Sequence, residues 1–151
     1  MTKRRPGEPR RFVVEVSGDV VSGRPEDVSR AILAKLRSSG AEPDREVDLH
    51  GLPARDARQR LARELREARA AGERCVLVVH GRGIHSESRP VLRDALPSWL
   101  QEAPQSELVL AFATAPRALG GAGATLVWIR RVREPAVSSA ANRRRGEQDE
   151  T

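Results

Sequence analysis

Apolar positions along the chain fall into short runs separated by polar stretches. The clearest is Cys75-Val76-Leu77-Val78-Val79, an unbroken run of the kind found in strands covered on both faces or central in a sheet. Strands are predicted over 47–50, 74–80, 108–113 and 125–130. Between the first two, residues 53–71 repeat apolar positions at helical spacing. Ala57, Leu61, Leu65 and Ala68 make one stripe, with Pro53 at its start and Gly72 just past its end. A second helix is predicted over 90–96. Pro97 is expected to kink or restart it before Trp99 and Leu100, because its ring lacks an N–H and crowds the preceding turn. A glycine-rich loop, 120–123, separates the last two strands.

Upstream the pattern is weaker. Residues 12–21, FVVEVSGDVV, read as a strand or as an apolar patch with no fixed structure. Pro25–Ser39 predicts a helix, with Pro25 in the first turn, Glu26 and Asp27 at its positive end, and Val28, Ile32 and Leu36 on one face. It is read as an accessory helix that docks on the main body or on a partner. Residues 1–11 read as a disordered basic arm. The order β-α-β-α-β-β, with alternating strands and helices, predicts an α/β fold. The expected architecture is a two-layer α/β sandwich with a four-stranded mixed sheet, plus an N-terminal extension helix. The expected division is an extension over 1–44, a compact domain over 45–131 and a disordered tail over 132–151.

Composition narrows the function classes. The 151 residues are 38% hydrophobic and 32% charged, which suits one folded core rather than two or none. Aromatic residues make up only 3%, too few for a base-stacking platform. One cysteine, Cys75, excludes a disulfide framework and a cysteine-rich zinc module. No apolar run approaches the roughly 18 residues of a membrane span, and no signal-peptide pattern opens the chain, so a cytoplasmic protein without membrane contact is expected. The net charge of +6 is carried by arginine, since only Lys3 and Lys35 are lysines. An anionic partner, DNA or RNA, fits that charge; so does arginine serving only as a solubilising residue.

Two segments concentrate polar chemistry: Asp48-Leu49-His50-Gly51 and His80-Gly81-Arg82-Gly83. Each ends a predicted strand, at the edge of an α/β sheet where ligands bind. Asp48 and His50 are two apart, so a strand would project both to one face. A carboxylate beside an imidazole holds its tautomer and makes it a better proton carrier. His80 could supply the second proton-transfer group that phosphodiester cleavage needs. Gly81 and Gly83 would let backbone N–H groups approach a phosphate, and Arg82 could neutralise its oxygens. His85 lies in the same loop. Asp48, His50, His80 and His85 could instead ligate zinc or manganese, although their spacing matches no standard short motif. No cofactor is required by this reading, and a divalent metal remains an option. On the first long helix Arg55, Arg58, Arg66 and Arg69 share a sector beside the apolar stripe, with Ala62 in its middle. That row either tracks a phosphate backbone or is a solvated face paired with Glu64 and Glu67.

The runs VDLHGLPARDARQRLARELREA, CVLVVHGRG, VLRDALPSWL and AFATAPRALGGAGATLVWI together resemble the small MutS-related (Smr) domain, over roughly residues 46–131. The arrangement looks most like the stand-alone bacterial members. The resemblance implies an α/β sandwich similar to the C-terminal domain of bacterial translation initiation factor three. It also implies an endonuclease that nicks or cleaves DNA or RNA, some members acting on ribosome-associated RNA. It ties Asp48 and His50 to cleavage, and His80, Gly81, Arg82 and Gly83 to binding or cleavage. The expected function is therefore a nucleic-acid endonuclease. Catalysis would fall to Asp48, His50 and His80, and phosphate binding to Gly81, Arg82, Gly83, His85, Arg55 and Arg58. The alternatives are a non-catalytic nucleic-acid or ribosome-binding module, or an adaptor that binds a protein through residues 12–39.

Overall fold

The computed structural model describes residues 10–40, 42–81 and 92–131. In chain order its elements are β1 (Phe12–Ser17), β2 (Val20–Pro25), α1 (Arg30–Ser38), β3 (Arg45–Asp48), α2 (Ala54–Ala70), β4 (Cys75–Val79), α3 (Leu92–Leu100), β5 (Val109–Thr114) and β6 (Ala124–Ile129), with short 3₁₀ turns before β5 and β6. The strands form one mixed sheet in the order β1-β2-β5-β6-β4-β3. Only β3 and β4 are parallel, linked by the α2 crossover; the other neighbours are antiparallel.

The sheet has six strands, not the expected four. The two extra strands come from residues 12–25, whose valine runs pair across a tight turn with Ser17 opposite Val20. Gly18 in that turn adopts φ +61°, open to glycine at little strain. Pro25 therefore ends a strand and does not begin a helix. The helix starts at Arg30, where the Ser29 hydroxyl accepts a hydrogen bond from the Ile32 N–H at 3.2 Å and caps the first turn.

The two helices of the compact domain, α2 and α3, lie on one face of the sheet, as expected, and the accessory helix α1 docks on the other. On one face α2 and α3 bury Leu61, Leu65, Leu96 and Leu100 against Val47, Val76, Val78, Val127 and Ile129. On the other, Leu33 of α1 packs with Cys75, Leu77, Leu126 and Trp128. This two-sided burial explains why β4 and β6 read as unbroken apolar runs. A single helix spans 92–100 with Pro97 inside it, so the proline does not restart it. Burial of Leu96, Trp99 and Leu100 outweighs the one hydrogen bond that the ring forgoes.

Arg10, expected in a disordered arm, is a core anchor. Its guanidinium is buried, donates to the Ser106 and Val109 carbonyls at 3.2 and 3.3 Å, and pairs with Asp27 at 3.1 Å. A buried guanidinium cannot shed its charge, so these acceptors are what make its burial tolerable. Among the described residues no helix is long and apolar enough to cross a membrane.

Candidate active site

The edge strand β3 places the first motif directly beside the second. Asp48 lies in register with Val79 of β4, and the Leu49 N–H bonds the Val79 carbonyl at 2.7 Å. In-register neighbours in a parallel pair share a face. Val47 and Val78 both belong to the core under α2, so Asp48 and Val79 face the other way. Past the strand the chain turns through Gly51, at φ +80°.

In that turn one oxygen of Asp48 holds His50 twice. Oδ1 accepts the His50 backbone N–H at 3.1 Å and lies 2.7 Å from Nδ1. The hydrogen bond from His50 keeps the Asp48 carboxyl below the ordinary carboxylate range. An ionised carboxylate only accepts, so Nδ1 carries the proton and Nε2 of the neutral ring keeps its lone pair. Both side chains are more than half exposed, 52% for Asp48 and 67% for His50, so the pair is open to a macromolecular substrate.

Gly81 is where the second motif meets the first. It adopts φ +83°, and a Cβ added there would lie 3.6 Å from the His50 Cβ. Glycine satisfies that backbone conformation and leaves the flank of His50 bare.

The His80 ring goes elsewhere. Alternation along β4 sends it to the α2–α3 face with Val76 and Val78, and it is 5% exposed. Its Nδ1 lies 2.9 Å from the Gly81 carbonyl and its Nε2 2.9 Å from the Thr125 hydroxyl. The carbonyl only accepts, so Nδ1 donates to it, and in the neutral ring Nε2 accepts from Thr125. His80 therefore does not stand beside His50 as a second exposed proton-transfer group. The strand tips adjoin, but one ring is exposed and the other buried. His80 instead grips its own loop, whose His80 and Gly81 N–H groups both donate to the Gly123 carbonyl at 3.0 Å. Thr125, the hydroxyl in this network, received no role from the sequence; a lone threonine in the apolar run of β6 was the available signal.

Burial pushes the His80 pKa down, against the Gly81 carbonyl, which favours the charged form. The unfolded ring titrates near 6.5, so the unfolded state binds more protons once the pH falls below that value. The stabilisation from a neutral buried His80 is complete above about pH 6.5 and erodes below it, by at most about 1.4 kcal/mol per pH unit, until the folded ring itself protonates. Chemical denaturation between pH 5 and 8 is expected to show this slope, and His80→Asn to flatten it. An equal slope in the variant would assign it to other groups.

The remaining residues from the sequence reading divide in two. Arg82, Gly83 and His85 lie outside the described residues. Arg55 and Arg58 are exposed on α2, Arg58 paired with Glu102. Cys75 is buried with its thiol pushed up to about 11, which suits packing rather than chemistry. Among the described residues, no three His, Cys, Asp or Glu side chains gather as a metal site.

These features define the class: an α/β domain with a carboxylate–imidazole pair at a parallel strand tip, beside a glycine turn from the next strand. The chain belongs to the Smr domain family, whose model matches residues 47–130. It is similar in structure to YdaL, a stand-alone small MutS-related protein from Escherichia coli, with a TM-score of 0.62 and 32% identity over 73% of this chain and 82% of that one. In sequence it is 38% identical over 103 residues to a ribosome rescue factor SmrB from Tolumonas auensis, covering 68% of this chain and 55% of that protein. A ribosome rescue factor SmrB from Enterobacter sp. is also 38% identical, over 69% of this chain and 52% of that protein. The chain thus spans about half the length of these curated relatives.

Proposed function

We propose that the chain is an endonuclease that cleaves phosphodiester bonds in nucleic acid, RNA before DNA, with Asp48 and His50 as its catalytic pair. The observation that carries this is the exposed His50 ring, fixed through Nδ1 by Asp48 so that Nε2 presents a lone pair to solvent. In RNA, Nε2 takes the proton of a 2′-hydroxyl. The 2′-oxygen bonds to phosphorus, the bond from phosphorus to the 5′-oxygen breaks, and that oxygen takes a proton from water. DNA lacks this internal nucleophile and requires a more strongly activated water, which a divalent metal could supply.

In this reading Gly81, with Arg82, Gly83 and His85 beyond it, cradles the scissile phosphate. His80 acts as a positioning residue, since its ring is buried and engaged at both nitrogens. The names of the SmrB relatives support a substrate presented at the ribosome. The test is incubation of the purified chain with matched labelled RNA and DNA, with and without EDTA. Cleavage of RNA that survives EDTA is expected. Binding without cleavage of either would leave a non-catalytic nucleic-acid module.

A further inference from the structure

We infer that one flank of α2 is a track for the phosphate backbone of the substrate strand, leading away from the His50 turn. This rests on the nucleic-acid reading above but not on cleavage.

The charges of α2 are segregated by flank. On the side facing β3, Arg45 bonds Glu73 at 2.6 Å and Glu64 at 2.7 Å and reaches Glu67 at 3.4 Å, while Arg60 approaches Glu64 at 3.8 Å. That flank neutralises itself. On the other side Arg55, Arg58, Arg66 and Arg69 fall within a sector of about 80°. Of these, only Arg58 has an acidic partner among the described residues, Glu102. Arg55 and Arg66 are exposed and Arg69 is half-buried. A surface that only keeps a protein soluble intersperses both signs; here all three acids of α2 lie on one flank, together with Arg60 and Arg63, and the charge on the other flank is arginine alone.

The partner follows from what accompanies the cations. Ala62 sits mid-row, and no large apolar or aromatic side chain in the sector could anchor a protein. A row of guanidiniums without an apolar centre suits a repeating line of phosphates. Its position suits the same partner. Arg55 stands in the first turn of α2, just past the His50 turn, and Arg69 lies fourteen residues further on, about 21 Å along the axis. That is roughly six stacked nucleotides at about 3.4 Å each. Arg66 and Arg69 therefore take the place that sequence reading gave to Arg58, which Glu102 already engages.

The experiment is fluorescence anisotropy with a labelled 12-nucleotide single-stranded RNA, titrated at salt from 50 to 200 mM. The full chain carries Asp48→Ala to keep the probe intact. Adding Arg66→Gln and Arg69→Gln is expected to weaken binding about tenfold and to lower the salt slope by roughly 1.4, about 0.7 per lost phosphate contact. Arg37→Gln with Arg117→Gln removes the same charge from exposed positions away from α2, and is expected to change affinity less than about twofold. Equal losses in the two pairs would reduce the row to bulk charge and overturn the inference, as would no loss in either. A row effect in a chain that never cleaves RNA would uphold the track while the catalytic reading fails.

Discussion

Replacing His50 by alanine is expected to lower the rate of RNA cleavage by about 10²- to 10⁴-fold, the range typical for loss of a positioned proton-transfer group. Asp48→Ala is expected to fall in the same range, because the ring then loses the group that fixes both its tautomer and its direction. Neither change should disturb the fold. Both side chains project from the sheet edge and more than half of each is exposed, so their loss removes local hydrogen bonds but opens no cavity. Initial rates on a labelled RNA, set beside thermal melts of the same preparations, check both halves. A variant that melts normally and cleaves at the wild-type rate would remove the pair from the mechanism.

Gly23→Ala is expected to destabilise the chain by about 1–3 kcal/mol, the usual range for an overpacked core. Gly23 of β2 pairs with Phe112 of β5, and a Cβ built on it would lie 2.3 Å from the tip of the Phe112 ring. That ring is fully buried and packs beside Phe12 at 6.3 Å between centroids, so it has little room to retreat. In a chain of this size the melting temperature should fall by roughly 3–10 °C. An unchanged melt would mean that the β1–β2 hairpin does not share the core of the domain. The test therefore bears on the fold's largest departure from expectation.

The β3–α2–β4 unit was legible because its signals are local. The stripe Ala57, Leu61, Leu65, Ala68 and the run Cys75–Val79 each report their own burial, and one crossover fixes the parallel pair. The hairpin was not, for two reasons. Val14 and Val16 on β1 stay exposed, so the strand lacks clean alternation. In β2, Ser-Gly-Arg-Pro has no strand character of its own and is held by pairing with β5, some ninety residues away. Arg10 was misread for a similar reason, since its acceptors Ser106 and Val109 are remote and its sequence neighbours are basic.

At the site, the Asp48–His50 pair could be suspected from its spacing of two, although β3 ends at Asp48 and the pair forms across the turn rather than along a strand over 47–50. The direction of His80 could not. Both faces of β4 are apolar, so its pattern carries no alternation from which to tell which way the next side chain points. Only the packing of Val76 and Val78 under α2 shows which way His80 turns.

The most direct test of the proposed chemistry is the structure of the cut ends. Mass spectrometry of fragments released from a defined RNA by the purified chain is expected to show a 2′,3′-cyclic phosphate on one side and a 5′-hydroxyl on the other, as attack by the 2′-oxygen requires. Fragments ending in a 3′-hydroxyl and a 5′-phosphate would show that water was the nucleophile, and would contradict the role assigned to His50.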